Sequence, residues 1–470
     1  MKQDVFIRVD GSLKIGLGHL IRCIALAQML KNEFIVTFVY KEIPEEYKKF
    51  ITDENFLYLD IKSEKEFLIR LVKSKIVVLD GYDFHIDLQN QIKQIGCKLV
   101  CIDDLHDKKF NADLIINHAP SVSPKDYQVT YNQTEFALGT EYALLRPSFL
   151  KQNRTTRTIT EVKNVLICFG GADYLNLTLQ TLNIIISYPF SKIIVITGAA
   201  YAYTESLKKN IQSDPRIVHH HSLLEDELLE IMLNADLAVI PSSGILLEMM
   251  TTSARIVSGF YADNQKIFFE RLLKKNIFFS AYDFSEIPLK KGIEAALIGK
   301  DIHRESLDGK SGERILEKFI DLTFSIRKVT YGDEKLLFNW ANDKSVRKNA
   351  ISANEILWED HIKWFDAKLI SSDNEMYILE KAGKPVGQIR YDRKDDYFLI
   401  DYSIDQEYRG MGYGKKILKK TLPFITESKM KIRAIVKSDN LGSIKVFNAL
   451  NFKFVKKLSI DDIDHHLFEY

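Results

Sequence analysis

In the first half of the chain the apolar positions fall in short, nearly unbroken runs separated by longer amphipathic stretches. The runs at 5–8, 35–39, 76–79, 99–102 and 114–116 are dominated by Val, Ile, Leu and Phe. Runs of this kind suit strands buried on both faces, as in a parallel sheet flanked by helices. Between them apolar residues recur at helical spacing, as over 19–30. The pattern predicts a doubly wound α/β domain over 1–150. Residues 151–160 break the alternation with basic residues and threonines and read as a linker. Strand-like runs then resume at 165–168, 193–197, 217–219, 237–240 and 256–259, and a helical stretch at 306–322 closes a second region over 161–322. Two Rossmann-like halves joined by a linker predict a GT-B-like arrangement. Ligands would then sit in a cleft outside the carboxyl ends of the strands.

From 325 onward the order changes. A short strand precedes helical patterns at 333–340 and 353–368, and closely spaced strands follow at 376–380, 386–391 and 398–404. A glycine-rich turn, a helix at 415–422 and a last strand at 466–470 complete an α+β domain over 325–470.

At 470 residues the chain is too long for one hydrophobic core. The net charge of +1 argues against a general nucleic-acid binder. No apolar run approaches the roughly 20 residues needed to span a bilayer, so no membrane partner is expected. Residues 1–9 carry charges and lead straight into a strand, unlike a signal peptide, and a cytoplasmic location is expected. Cys23, Cys97, Cys101 and Cys168 form no C-x-x-C pair or zinc-finger spacing and read as reduced thiols. His219, His220 and His221 are consecutive on a strand and point alternately to opposite faces, so no shared metal is expected.

Arg409-Gly410-Met411-Gly412-Tyr413-Gly414 follows a strand, Phe398 to Ile404, and precedes a helix. Glycines at such a junction let a ligand approach the backbone. The free N–H groups at the helix start, with the helix dipole, suit a pyrophosphate. Downstream, Asn440, Ser443, Phe447 and Asn451-Phe452 stand at offsets resembling the N-x-x-S/A-x-x-x-Y/F-x-x-x-G-F pattern of GNAT acetyltransferases. The resemblance covers about 325–470 and implies acetyl-CoA as co-substrate. Ile404 and Arg409 to Gly414 would hold its pyrophosphate end, and Asn440, Ser443 and Phe447 would lie along the pantetheine arm. Two departures matter. Phe447 stands where the family often has a tyrosine that protonates the thiolate, so the acid must be water or another side chain. Asn451 replaces a glycine, a mild change because asparagine tolerates left-handed backbone. Asp401, on the strand before the phosphate loop, is a candidate base for the attacking amine. Its apolar neighbours Leu399, Ile400 and Ile404 suggest partial burial, which would raise its pKa. The alternative is that it only pairs with Arg390 or Arg409.

Ile15-Gly16-Leu17-Gly18-His19 follows the first strand and opens a helix containing Arg22. A helix N-terminus disfavours a charged imidazole, so His19 reads either as a neutral general base or as a packing histidine. Gly170-Gly171 and Ser242-Ser243-Gly244 each follow a strand and can cradle phosphates with backbone N–H groups. Glu248, one turn later, reads as an acceptor for ribose hydroxyls or as a solvated helix charge.

Arg8, Asp10-Gly11, Ile15-Gly16, Gly18-His19 and Arg22-Cys23 resemble the opening signature of the nucleotide-sugar hydrolases of pseudaminic acid biosynthesis. Asp80 with Tyr82, Asp103-Asp104, Asn117, the run Phe169 to Asp173, Glu248 and Ala262-Asp263-Asn264-Gln265 agree, over about 3–290. The resemblance implies a GT-B-like fold and metal-independent hydrolysis of UDP-2,4-diacetamido-2,4,6-trideoxy-β-L-altropyranose, with His19 activating water. Arg8, Asp10, Gly16, Gly18, Arg22, Tyr82, Asn264 and Gln265 would contact substrate. Ser243-Gly244-Ile245 departs from the family's G-S-T run and lacks one hydroxyl. The run Leu336 to Asp343 with Val346-Arg347, then His361, Trp364 and Phe365, resembles the amino-sugar N-acetyltransferases of the same pathway, and in part ribosomal-protein acetyltransferases. Together these imply a bifunctional enzyme acting on UDP-amino-sugars. A UDP-sugar glycosyltransferase fused to an acetyltransferase and a non-catalytic nucleotide-sugar sensor remain alternatives.

Overall fold

A computed structural model describes residues 2–12, 17–73, 75–152, 157–198, 200–299, 307–426 and 430–470. The chain forms two compact units, Met1–Leu322 and Thr323–Tyr470.

Among the described residues the first unit holds a two-stranded sheet, Lys109–Phe110 with Gln128–Val129, and two large parallel sheets. One has seven strands in the spatial order Leu57–Asp60, Phe34–Tyr40, Gln3–Val9, Ile76–Asp80, Lys98–Ile102, Leu114–Asn117 and Glu135–Leu138. The other has six, Ile217–His221, Lys192–Thr197, Asn164–Cys168, Leu237–Pro241, Arg255–Gly259 and Phe279–Tyr282. In each the strand order reverses beside the first strand, between Gln3–Val9 and Ile76–Asp80 and between Asn164–Cys168 and Leu237–Pro241. Loops leave in opposite directions at such a switch point and open a crevice at the carboxyl ends.

The helix Gly18–Leu30 packs Leu20, Cys23, Ile24 and Leu30 onto the first sheet, against Val5, Ile7 and Val78. Two helices cross between the halves. Ser311–Leu322, at the end of the second region in sequence, sends Ile315, Phe319 and Leu322 into the first core. Pro147–Lys151, at the end of the first, sends Phe149 into the second. Its last residue falls in the expected linker, of which residues 153–156 lie outside the described residues, as does the expected helix start at Ser306. All four cysteines are free and buried.

The second unit is built on one seven-stranded sheet in the order Phe324–Lys328, Asn374–Lys381, Lys384–Arg393, Tyr397–Ile404, Lys431–Lys437, Ile463–Glu469 and Lys453–Ile460. Every pairing is antiparallel except Tyr397–Ile404 with Lys431–Lys437. That parallel register runs only from Tyr397 to Leu399, opposite Lys431 to Arg433, although both strands continue. The facing edges beyond it present backbone polar groups to whatever enters between them. The helix expected over 353–368 starts later, at Trp358–Ile370, and a short helix Lys344–Asn349, capped by Asp343, precedes it. Asn451 has φ +64°, as its substitution for glycine requires. The last strand, expected at 466–470, starts earlier, at Ile463, after a turn at Asp461 and Asp462, both with positive φ.

Candidate functional site

The two sheets of the first unit face a cleft of about 500 Å³. Gly18, His19, Arg22, Tyr82 and Asp104 line it from the first sheet's side. Gly170, Gly171, Ser242, Ser243 and Gly244 line it from the second, with Glu248, Asn264 and Gln265. The structure thus brings together most of the residues singled out in this half of the sequence.

His19 sits in the first turn of its helix and is buried. Its Nδ1 lies 2.6 Å from Asp80 Oδ1. Asp80 ends the central strand Ile76–Asp80 and is fully buried. Burial alone would push its carboxyl up, but the charges of Arg22 and His19, and their hydrogen bonds, hold it well below the usual carboxylate range. Arg22 binds it twice, Nε to Oδ2 and Nη2 to Oδ1, both at 2.6 Å. Arg22 Nη2 also lies 2.8 Å from His19 Nδ1, and both contacts cannot be satisfied at once. An ionised carboxylate can only accept, so Nδ1 carries the proton and donates it to Asp80. Nε2 is then the basic nitrogen, and it has no hydrogen-bond partner among the described residues.

Tyr82 closes one side of this arrangement. Its ring stands edge-on to His19 at 4.7 Å between centroids. Its hydroxyl donates to Asp104 Oδ2 at 3.2 Å and accepts from Asn264 Nδ2 at 2.9 Å, a link between the two halves. Gln265 is turned inward, its Oε1 accepting from Tyr261 N at 3.1 Å. Gly170 has φ +82° and open space where a side chain would stand, so only glycine keeps this turn clear and unstrained.

Arg8 and Asp10 do not line the cleft. Arg8 is buried, bonded to Glu64 through Nε and Nη2 and to Asp10 through Nη2 at 2.7 Å. Asp10 Oδ1 accepts from the backbone N–H of Lys41 at 2.6 Å. The pair fastens the end of the first strand, which is a structural task. Ile15 and Gly16 lie outside the described residues.

Glu248 is buried, and Arg146 grips both its oxygens, Nε at 2.8 Å and Nη2 at 2.9 Å. It is therefore no solvated helix charge. Breaking a buried ion pair strands one charge, so Arg146→Ala is expected to lower stability by about 3 kcal/mol. Chemical denaturation would measure it, and a change below about 1 kcal/mol would show that the pair contributes little.

Asp80 as the orienting carboxylate, Arg146 and His118 had no role assigned from sequence. His118 directly follows the strand Leu114–Asn117, and the strand-end rule alone would have marked it. Thr197 Oγ1 contacts His219 Nε2 at 2.8 Å and His221 Nδ1 at 3.1 Å. Among the described residues no group of three or more His, Cys, Asp or Glu is placed to hold a metal, and no helix is long and apolar enough to cross a membrane.

In the second unit Gly410 and Gly412 have φ of +77° and +79°, and a side chain at either would meet nothing within 4 Å. This open, left-handed turn leads into the helix Tyr413–Thr426, whose first N–H groups are free for an anion. Met411 is exposed, whereas Tyr413 is buried and its hydroxyl accepts from Lys381 Nζ at 2.7 Å. Arg409 does not point freely at the loop. Its Nε donates to the Ile404 carbonyl at 2.9 Å and its Nη2 pairs with Asp343 at 2.7 Å. Asp343 also caps the helix Lys344–Asn349, so Arg409 fixes that helix to the loop. Gly414 approaches the Tyr402 ring, and the Tyr402 hydroxyl donates to Ser443 Oγ at 3.0 Å. Asn440 caps its helix by accepting from Ser443 N at 3.1 Å. Phe447 is sealed in the core against Phe452 and Phe468.

Asp401 departs from expectation. Its side chain is 57% exposed, with Arg390 Nη2 at 3.5 Å. It is therefore not in the partly buried setting that its apolar neighbours suggested. Asp401→Asn is expected to slow acetylation less than tenfold, whereas the loss of a general base would cost about a hundredfold or more. Steady-state rates at saturating acetyl-CoA decide between the two.

Residues 337–452 match the Acetyltransferase (GNAT) family, so the second unit carries a GNAT domain. An uncharacterized protein of Methanocaldococcus jannaschii is 25% identical over 96% of this chain and 97% of its own length. A UDP-2,4-diacetamido-2,4,6-trideoxy-β-L-altropyranose hydrolase of Campylobacter jejuni is 28% identical, covering 58% of this chain and 96% of that protein. A spore coat polysaccharide biosynthesis protein of Bacillus subtilis is 25% identical over 50% of this chain and 71% of its own.

Proposed function

We propose that the first unit hydrolyses UDP from a UDP-linked amino sugar, and that the second acetylates an amine of such a sugar with acetyl-CoA. The two would be consecutive steps of pseudaminic acid biosynthesis, with the hydrolase acting on UDP-2,4-diacetamido-2,4,6-trideoxy-β-L-altropyranose. The observation that carries the hydrolase reading is the His19–Asp80 pair, which leaves Nε2 unpaired among the described residues in a cleft lined by the glycine turns at Gly170-Gly171 and Gly244. The similarity to the Campylobacter jejuni hydrolase supports the choice of sugar.

In this mechanism a water attacks the anomeric carbon and gives its proton to His19 Nε2. The bond from that carbon to the β-phosphate oxygen breaks, and its electron pair leaves with UDP. Asp80 steadies the imidazolium that forms, and Arg22 keeps Asp80 ionised. Tyr82 and Asn264 contact the sugar, while the turns at Gly170-Gly171 and Ser242 to Gly244 hold the diphosphate. In the second unit the N–H groups of Arg409 to Gly414 hold the pyrophosphate of acetyl-CoA, which supplies the acetyl thioester. Phe447 carries no proton to give, so the thiolate is protonated from water or another side chain.

The test is product analysis with the diacetylated UDP-sugar and no acceptor. Free sugar and UDP support hydrolysis. A requirement for an acceptor would make the first unit a glycosyltransferase, and binding without turnover would make it a sensor.

A further inference from the structure

His118 lines the same cleft, yet the hydrolytic scheme gives it nothing to do. Unlike His19, it has no carboxylate partner, and neither ring nitrogen is hydrogen-bonded among the described residues. Its ring meets Phe268, on the helix Asp263–Lys274 of the other half, at 6.1 Å between centroids. It therefore stands at the seam of the two halves.

Several charged groups surround it. Arg22 comes from the helix Gly18–Leu30, Asp80 from the end of Ile76–Asp80, and Asp104 from the loop after Lys98–Ile102. Arg271, on the Phe268 helix, donates to the Pro120 carbonyl at 3.4 Å. Burial first, and then the Arg22 charge, push the His118 imidazole down to about 4. It is neutral in the free protein at neutral pH. The two nearby carboxylates cannot hold it charged because both already serve Arg22, Asp80 at 2.6 Å and Asp104 at 3.1 Å.

A diphosphate entering this cleft brings new negative charge beyond that of Asp80 and Asp104, which Arg22 already pairs. It favours a charged imidazole and offers its oxygens as acceptors. We infer that His118 takes up a proton from solvent when a nucleoside diphosphate enters the cleft, and holds the leaving diphosphate as an imidazolium. The inference rests on the UDP-sugar reading of the cleft. No bond to carbon or phosphorus is made or broken by His118. Its proton is acquired on binding, donated as a hydrogen bond to the phosphate, and returned to solvent when UDP departs. Linkage fixes the sign. A group whose pKa rises on binding strengthens binding as pH falls towards the ordinary histidine range, about 6.5.

The experiment is calorimetric titration of the full chain with UDP near pH 6.5, about the ordinary histidine pKa, in buffers of different ionisation enthalpy. The terminal phosphate of UDP also titrates there, but its contribution cancels between wild type and variant. Wild type should take up a large fraction of a proton more per bound UDP than His118→Asn. The variant should bind UDP about tenfold or more weakly, the scale of one charge-assisted hydrogen bond. His19→Ala should keep the extra uptake. Nitrogen NMR of the imidazoles gives an independent readout, in which UDP should convert one imidazole from the neutral to the charged pattern in wild type and should not do so in His118→Asn. UDP binding with the same proton uptake in wild type and His118→Asn would overturn the inference while leaving the cleft reading intact. Absence of any UDP binding by the folded wild-type protein would overturn both.

Discussion

Replacing His19 with alanine is expected to reduce UDP release by about 10²–10⁴-fold, the range for loss of a general base, while acetylation continues at the wild-type rate. As the proposed base, His19 is specified by its partners. Asp80 holds the proton on Nδ1 and leaves Nε2 free to accept one from water. Asp80→Asn should therefore approach the same loss without removing the imidazole, because an amide can donate as well as accept and no longer fixes the tautomer. Asp80 also holds Arg22 and Cys23, so thermal unfolding must accompany the rate measurement. A folded His19→Ala protein that releases UDP at near-normal rates would remove His19 from the mechanism.

The second large effect concerns the acetyl-CoA loop. Gly412→Val should weaken CoA binding by about a hundredfold or more, equivalent to losing two hydrogen bonds to a charged group. Two causes act together. Gly412 has φ +79°, which a β-branched residue rarely adopts. Any side chain there would also occupy the open space from which, in the proposed site, a pyrophosphate would reach the start of the helix Tyr413–Thr426. Calorimetry with CoA reads the effect, and hydrolysis of the diacetylated UDP-sugar by the same protein controls for folding of the other unit. Unchanged CoA affinity would show that the phosphate site lies elsewhere.

What was legible in the sequence follows from burial. All five residues of Ile76–Asp80 are buried, and an unbroken apolar run announces such a strand. The strands Leu57–Asp60 and Lys453–Ile460 lie at sheet edges, largely exposed, and left no such run. The turns at Gly170, Gly410 and Gly412 were legible because few other residues adopt their backbone. Side-chain partnerships were not. His19 and Asp80 are 61 residues apart and meet only because of the fold. Arg8 belongs to the motif that drew attention to His19, but its partners Glu64 and Asp10 turn it to a structural use. The burial of Asp401 differs from expectation for a simpler reason. Adjacent strand residues point to opposite faces, so a buried Ile400 says nothing about the burial of Asp401.

In the proposed scheme two activities meet on one sugar. The most direct measurement is NMR of the full chain with the UDP-linked 4-amino sugar, before and after acetyl-CoA is added. Without acetyl-CoA the UDP-sugar should persist. After addition, the N-acetyl signal should appear first on the UDP-linked sugar, followed by free diacetamido sugar and UDP with no acceptor present. Release of UDP before acetylation, or an acetylated UDP-sugar that accumulates unhydrolysed, would contradict it.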